Sequence, residues 1–376
     1  MDNSYTGRKD LVMIYCSNPF LQYLTYKKDI QKSINRVLNS KQYVLGKEVS
    51  NFENEFSKFI GTKFSIGVAN GTDAIEIGLR SLGVGFGDEV ITVSHTANAT
   101  VSAIESTGAK PILIDVEEDY YTINPDKIAE AVNKKTKAVI CVHLYGQSID
   151  LDSVLSICKK KDIHLIEDVS QAHGAMWKGK RLGSFGILGT FSCYPTKNLG
   201  AIGDAGIITT SNKSLEKKIK MIREYGWIKK FDSNCFGRNS RLDEIQAAIL
   251  RIKLKKLDVD NEKRRNIANY YSKHLNKEIL ITPKLRENST HVFHQYVCIS
   301  SNRKKLISYL KKNGIYAGIH YPSPVHSQPF YLNRFKNKNF VVTDKISEKI
   351  ISLPIYPELK LSQAKKIVNL INRFVI

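Results

Sequence analysis

The first half of the chain alternates short apolar runs with amphipathic stretches. The apolar runs, each typical of a buried strand, cover residues 64–70, 89–94, 111–116, 138–146 and 164–169. Between the first two runs, Ile75, Leu79 and Leu82 fall on one helical face, and Gly83 is a typical helix end. Strands that alternate with helices predict an α/β fold with a largely parallel sheet covered on both faces. Ligands of such sheets bind at the carboxyl ends of the strands.

The pattern changes near residue 240. Ser240, followed by Asp243 and Glu244, is typical of a helix N-terminus, and apolar periodicity predicts one long basic helix through about residue 273. The remainder mixes helices with strand-like runs at 291–300 and 314–321. We therefore predict two domains, a large one of residues 1–250 and a smaller α+β one of residues 251–376.

Composition narrows the class of protein. The chain has 376 residues, 42% hydrophobic and 25% charged, which is near globular norms and excludes disordered and collagen-like classes. It has no apolar run of roughly 18 residues, the length of a membrane-spanning helix, and its polar N-terminus does not resemble a secretory signal. Its six cysteines include no C-x-x-C pair, which favours reduced thiols over disulfides or a zinc site. We expect a cytoplasmic protein with neither a metal nor a membrane partner.

The net charge of +21 first suggests nucleic-acid binding, because clustered cations release counterions from phosphates. The lysines are spread along the chain, however, mostly on predicted solvated helix faces. The sequence contains no zinc finger, basic arm or strand of paired aromatic and basic residues. We therefore expect no nucleic-acid partner, although a positive field would attract a small phosphorylated substrate.

Three local patterns carry candidate chemistry. Residues 70–73, Asn-Gly-Thr-Asp, lie where a strand leads into a helix, a position that binds anions or is simply a capped helix. Asp168 ends an apolar strand and is followed by Gln171 and His173, so it either faces a site or stabilises a turn. Lys197 lies in a run of small residues, which predicts partial burial and the lowered pKa that an amine needs to condense with an aldehyde.

Taken together, these patterns match the requirements of one cofactor. Pyridoxal 5'-phosphate needs a phosphate cup, an acid beside its ring nitrogen and an amine for its aldehyde. Each pattern is weak separately, and the combination is fairly specific.

Several segments resemble the nucleotide-sugar aminotransferases of the DegT/DnrJ/StrS family. They are NGTDAIEIGL, EDVSQAHGA, FSCYPTKNLGAIGDAG and GRNSRLDEIQAAILRIKL, and the resemblance extends in order from about Phe20 to residue 330. It implies the type I aminotransferase fold, with a mainly parallel sheet between helices in the large domain and a smaller α+β C-terminal domain. It also implies a homodimer with active sites at the subunit interface.

The resemblance also implies roles for residues at the cofactor. Lys197 would bind the cofactor covalently and move protons, Asp168 would pair with the pyridinium nitrogen, and Gln171 would lie near the phenolic oxygen. The residues implied at the phosphate are Gly71, Thr72, Ser192 and, from the partner subunit, Asn239.

On the substrate side the resemblance implies His320, Tyr321 and His326, although a Tyr-Pro turn with nearby histidines can also be purely structural. The chain departs from the family at one position. Many relatives have an aromatic residue that stacks on the cofactor ring where this chain has Ala97. Either His95 replaces that ring or an aliphatic contact serves instead.

Within the family, the chain is most similar to the branch that aminates carbon 3 of dTDP-3-keto-6-deoxyhexoses. Four segments carry this similarity: SHTANAT, VHLYGQ, YPTKNLGA and REYGW. This implies transfer of an amino group from L-glutamate, giving a dTDP-3-amino-3,6-dideoxyhexose of gluco or galacto configuration for bacterial surface glycans such as lipopolysaccharide. The nearest alternative is amination of a 4-keto-6-deoxyhexose at carbon 4. A dehydratase of this fold has histidine in place of the lysine, so Lys197 argues against it. A non-catalytic regulatory or nucleic-acid-binding protein on the same fold is a distant alternative.

Overall fold

The computed structural model of the chain describes residues 13–375; the N-terminal segment in which we expect no secretory signal lies mostly outside them. The helices of the described residues are α1 (Pro19–Asn39), α2 (Lys47–Ile60), α3 (Gly71–Ser81), α4 (Asn98–Ser106), α5 (Pro125–Ala131), α6 (Leu151–Lys161), α7 (Lys213–Ile222), α8 (Glu244–Leu254), α9 (Leu257–His274), α10 (Arg303–Lys312), α11 (Leu332–Phe335), α12 (Val341–Ser347) and α13 (Leu361–Asn372). The strands are β1 (Phe64–Val68), β2 (Glu89–Val93), β3 (Lys110–Ile114), β4 (Thr136–Val142), β5 (His164–Asp168), β6 (Met176–Trp177), β7 (Lys180–Arg181), β8 (Leu188–Ser192), β9 (Gly206–Thr210), β10 (Trp227–Lys229), β11 (Asp232–Ser233), β12 (Ser289–Thr290), β13 (Tyr296–Ile299) and β14 (Ile350–Leu353).

Within the described part of the chain, seven strands form the central sheet, in the order β1-β9-β8-β5-β4-β2-β3. The pairs β8–β5, β5–β4, β4–β2 and β2–β3 are parallel, and β9 pairs antiparallel with both of its neighbours. The predicted α/β fold with a mainly parallel sheet is confirmed. Strand β5 lies at the centre of the sheet, so its carboxyl end at Asp168 is flanked by the ends of β4 and β8.

Helices cover both faces of the sheet, as the buried strands predict. Because side chains alternate along a strand, Ile140 and Ile166 pack with α3, α4 and α7, and Val139 and Leu165 pack with α2, α5, α6 and α8. None of the helices within residues 13–375 combines the length and apolar character needed to cross a membrane.

The expectation of one long helix from Ser240 to about residue 273 is wrong. Helix α8 begins at Glu244 after Asp243 and ends at Leu254, and α9 begins at Leu257. The helical path is thus interrupted at Lys255–Lys256. The sequence of the break contains neither glycine nor proline, so no local signal marks it. The break arises from packing, because α8 lies against α1 and α2 whereas α9 lies against α13.

The strand-like runs of the C-terminal part are shorter than expected. Only residues 296–299 of the first run form a strand, and residues 314–321 form isolated bridges. Ile315 pairs with Ile14 and Gly318 pairs with Ser352. Since consecutive parts of this segment bond to different chain segments, no continuous ladder can form.

A separate hydrophobic cluster joins α9, α10 and α13 to β13 and β14. Val292 and Val297 belong instead to the cluster on the sheet. The division into residues 1–250 and 251–376 therefore stays a prediction.

Candidate active site

A cavity of about 330 Å³ opens at the carboxyl end of β5, between the start of α3 and the loop after β8. Most of the site residues expected from the sequence line it: Gly71, Thr72, Asp168, Gln171, Ser192, Lys197, His320 and Tyr321. Asn239 and His326, which also belong to the described part of the chain, lie outside this lining.

The start of α3 forms an anion cup with the end of β8. The side chain of Asn70 caps the helix by accepting the Asp73 amide at 2.8 Å, and the other amides of the first turn have no partner within a helix. A Cβ atom at Gly71 would lie only 2.5 Å from the Ser192 Cβ. This close approach brings the helix N-terminus, Thr72 and the Ser192 hydroxyl together as donors for a phosphate.

Asp168 is 4% exposed, and two donors hold its carboxylate. Its Oδ2 accepts the Thr100 hydroxyl at 3.1 Å, and its Oδ1 accepts the Ser170 amide at 3.1 Å. The carboxylate therefore has a defined orientation at the wall of the cavity.

Lys197 is partly buried, as its context of small residues predicts. Burial lowers the pKa of its amine from 10.5 to about 8, although the charge of Asp168 opposes the shift. Its backbone amide donates to the Tyr194 carbonyl at 2.9 Å, closing the turn that carries the side chain. A larger fraction of this amine than of an exposed lysine is neutral near pH 7.

Gln171 connects two tyrosines. Its Oε1 accepts the Tyr145 amide at 2.8 Å, and its Nε2 donates to the Tyr321 hydroxyl oxygen at 3.0 Å. Burial raises the pKa of Tyr321 to about 12, so this phenol keeps its proton. Because the hydroxyl oxygen already accepts from Gln171, its own proton is free for an acceptor in the cavity.

The two histidines of the substrate-side segment have different positions. His320 lines the cavity, and its Nδ1 bonds to the Ser352 hydroxyl at 2.8 Å. Burial, together with the charge of Lys197, lowers the His320 pKa to about 4, so the ring is neutral. His326 bonds to Ser94 at 2.7 Å and pairs with Asp344 at 3.0 Å. Its role toward substrate stays a prediction that this geometry does not support.

Ala97 lines the cavity, and His95 is fully buried outside the lining that the described residues form. The wall contact at this place is therefore aliphatic. Asn239 is exposed and does not line the cavity of its own chain.

The cavity wall also contains residues that the sequence patterns do not predict: Thr100, Tyr194, His294 and Gln295. Tyr194 lies between Ser192 and Lys197 in the sequence, so spacing could have identified it. His294 lies in a run that reads as a buried strand and carries no spacing signal. Within residues 13–375, no group of three His, Cys, Asp or Glu side chains is arranged to hold a metal ion.

A model of the DegT/DnrJ/EryC1/StrS aminotransferase family matches residues 25–372. The chain belongs to that family. Among the relatives of this aminotransferase is the dTDP-3-amino-3,6-dideoxy-alpha-D-galactopyranose transaminase of Aneurinibacillus thermoaerophilus, 43% identical over 95% of this chain and 99% of the relative. The pleiotropic regulatory protein of Geobacillus stearothermophilus is 40% identical over 94% of this chain and 96% of the relative.

Solved structures agree with this assignment. The structure of DesV from S. venezuelae, in complex with a ketimine intermediate, covers 97% of this chain and 100% of its own, with 35% identity and a TM-score of 0.94. The expectation of a pyridoxal-phosphate aminotransferase is therefore confirmed at the level of the family.

Proposed function

We propose that this aminotransferase moves an amino group from L-glutamate to carbon 3 of a dTDP-3-keto-6-deoxyhexose. The observation that carries the proposal is a single cavity that holds a partly buried Lys197, a buried Asp168 and an anion cup. The choice of carbon 3 and of dTDP is supported by the name of the Aneurinibacillus relative and by the resemblance of the SHTANAT segment.

The residues of the cavity fit pyridoxal phosphate. Bound pyridoxal phosphate supplies an aldehyde for amines and an electron-withdrawing ring. The first-turn amides of α3, with Thr72 and Ser192, would hold its phosphate, and Asp168 would hold the proton on its ring nitrogen. The side chain at Gly71 must be absent, because a Cβ there would meet Ser192.

Lys197 has the properties of a proton-transfer group as well as of a nucleophile. Its amine, with a pKa of about 8, can both accept and release a proton near neutral pH. Tyr321 remains protonated and can donate to a ligand oxygen, whereas neutral His320 contributes no charge. These groups bind, orient and protonate, and the cofactor provides the electronic chemistry.

We further propose a homodimer in which Asn239 reaches the phosphate of the partner subunit. Its exposure and its absence from the cavity lining of its own chain support such a role. The cytoplasmic location stays a prediction.

Amination at carbon 4 would use the same residues. The experiment below distinguishes it from amination at carbon 3. A regulatory function is raised by the name of the Geobacillus relative. The joint presence of Lys197 and Asp168 in one cavity favours catalysis.

The decisive experiment follows the visible absorption of the purified protein with bound pyridoxal phosphate. L-glutamate should bleach the band, and failure to do so contradicts transaminase activity. dTDP-4-keto-6-deoxyglucose is then added, first alone and then with a 3,4-ketoisomerase. Recovery of the band only with the isomerase supports amination at carbon 3, whereas recovery with the 4-keto sugar alone indicates carbon 4. A UDP-linked sugar in the same assay tests the nucleotide.

Replacement of the lysine tests its role directly. Lys197→Ala should lower turnover by about 10³-fold or more, because both the covalent link and the proton carrier are removed. Lys127→Ala, which removes an exposed lysine of α5, is the matched control and should retain full activity. Turnover of Lys197→Ala near the wild-type rate would exclude the proposed mechanism.

A further inference from the structure

Tyr145 bonds to two residues that line the cavity, Gln171 and His320, although Tyr145 is not part of the lining. It is fully buried in the short turn Leu144–Gly146 and has a backbone φ of 61°. Its amide donates to Gln171 at 2.8 Å, and its hydroxyl bonds to the carbonyl of His320. The same hydroxyl lies 2.7 Å from His95 Nε2.

The donors and acceptors in this chain of hydrogen bonds can be assigned. A carbonyl oxygen only accepts, so the Tyr145 hydroxyl donates to His320. The hydroxyl oxygen must then accept from His95, which requires a proton on Nε2. With the proton on Nε2, His95 Nδ1 is an acceptor, and it meets no donor among residues 13–375. Burial lowers the His95 pKa to about 4, so the ring is neutral and the bond is not an ion pair.

We propose that His95 and Tyr145 form a positioning pair that holds the His320–Tyr321 segment against the cavity. His95 orients the Tyr145 hydroxyl, the hydroxyl fixes the His320 carbonyl, and the Tyr145 amide fixes Gln171, which bonds to Tyr321. His95 thus acts from outside the wall, through a tyrosine. The inference rests on the proposed function, since it concerns the same cavity.

The geometry favours this role over simple filling of the core. His320 and Tyr321 follow an irregular segment whose pairing with β14 is limited to an isolated bridge at Gly318. Such a segment depends on side-chain bonds for its position. The bonds of Tyr145 to Gln171 and His95 are buried, and its bond to His320 is partly buried. Away from water a hydrogen bond is stronger, and an unmade one is costly. The Tyr145 ring also packs edge-on against His95 and Tyr121, and a phenylalanine would preserve that packing.

Tyr145→Phe is therefore the first test, with Tyr271→Phe as a matched control. Tyr271 is also fully buried, and its hydroxyl also donates to a carbonyl, that of Pro354 at 2.9 Å, in the C-terminal cluster. The first readout is amide hydrogen exchange of the cofactor-free protein over residues 316–326. Tyr145→Phe should accelerate exchange there about tenfold, the effect of one lost buried hydrogen bond. Tyr271→Phe should leave it unchanged. Equal exchange in the two variants would overturn the proposal.

The second test uses His95, which also decides the matter if Tyr145→Phe does not fold. His95→Leu removes the donor at similar volume, and His95→Gln offers an amide N–H in its place. We expect kcat/KM for the keto sugar to fall about tenfold in His95→Leu and to recover largely in His95→Gln, with exchange over residues 316–326 changing in parallel. No change in His95→Leu, or no recovery in His95→Gln, would contradict a positioning role. If the wild-type protein does not transaminate, the proposed function fails, and the exchange measurements still decide the role of the pair.

Discussion

The amine of Lys197 combines two properties that usually exclude each other, burial and availability for chemistry. Removal from water disfavours its ammonium form and lowers the pKa to about 8. Asp168 partly opposes the shift and keeps the amine able to hold a proton. A lysine of this kind can act as a nucleophile near neutral pH. Once its amine is released again, it can also carry protons in the reaction.

This pKa predicts the pH dependence of cofactor capture. The neutral amine attacks the aldehyde, and its fraction grows as pH rises through the pKa. The rate at which cofactor-free protein forms the visible band with pyridoxal phosphate should therefore rise with a midpoint near 8, measured by stopped-flow absorbance. The midpoint of an ordinary lysine, near 10.5, would contradict the assigned burial. Lys197→Arg, which keeps a charge without a nucleophile, should form no band.

The anion cup predicts a second effect at the residue scale. Gly71→Ala would place a Cβ atom 2.5 Å from that of Ser192 and separate the helix from the strand end. We expect the dissociation constant of pyridoxal phosphate to rise roughly tenfold or more, the equivalent of about 1.4 kcal/mol.

Gly78→Ala is the control for this substitution. Gly78 lies in the same helix, and a Cβ there meets two side-chain ends, Leu188 Cδ1 at 3.2 Å and Thr190 Cγ2 at 3.9 Å, neither of them as close as the Ser192 Cβ is to Gly71. Titration of the cofactor against both variants should show a loss for Gly71→Ala alone. Equal affinities would mean that the helix start does not hold the phosphate.

At the scale of helices and strands, a side chain of one helix caps the N-terminus of another helix that is distant in the sequence. Glu244, the first residue of α8, is 3% exposed, and its carboxylate accepts three amides at the start of α2, those of Gly46, Glu48 and Val49, at 2.7–2.9 Å. An anion at a helix N-terminus also interacts favourably with the helix dipole. One side chain thus joins the helix before β1 to the helix that leads toward the C-terminal part.

Removal of this cap should be costly. Glu244→Ala leaves three buried amides without their acceptor, and we expect the free energy of unfolding in urea to fall by about 2–3 kcal/mol. Glu262→Ala, which removes an exposed carboxylate paired with Arg265, should change it by less than about 0.5 kcal/mol. A loss in Glu244→Ala no larger than in the control would show that water replaces the carboxylate.

For the whole molecule, the proposed homodimer predicts complementation between two inactive variants. If Asn239 serves the partner's cavity, a mixed dimer of Lys197→Ala with Asn239→Asp carries both changes in one site and leaves the other intact. Co-expression in equal amounts should then restore about a quarter of wild-type activity, because half of the dimers are mixed and each has one intact site.

The opposite arrangement gives a different result. If Asn239 serves its own chain, every site of the mixed dimer carries one change, and activity stays at the level of the separate variants. When mixed dimers are purified by distinct tags, so that unmixed dimers do not contribute, the shared arrangement predicts about half of wild-type activity. Absence of recovery in such dimers would refute the shared site.

Local pattern was sufficient for five of the seven strands that form the sheet within residues 13–375, and for much of the cavity. Apolar runs predicted β1 to β5 but not β8 and β9, and the ends of strands and the starts of helices then indicated the anion cup and Asp168, because these features depend on burial and on neighbouring residues in the chain. The context of small residues around Lys197 likewise indicated its burial. Roles at the cofactor came from resemblance to a family and remain to be tested residue by residue.

Other features depend on which distant segments meet after packing. The break between α8 and α9, the cap that Glu244 places on α2, and the turn of His326 toward Ser94 have no signal in the local sequence. The same holds for His95, Tyr145 and His320, which come from three separate segments of the chain. Periodicity reports how deeply a residue is buried, whereas the partner of a buried polar group is set by the orientation of elements far apart in sequence. Tertiary packing alone could therefore assign His95 to a tyrosine instead of to the cofactor ring.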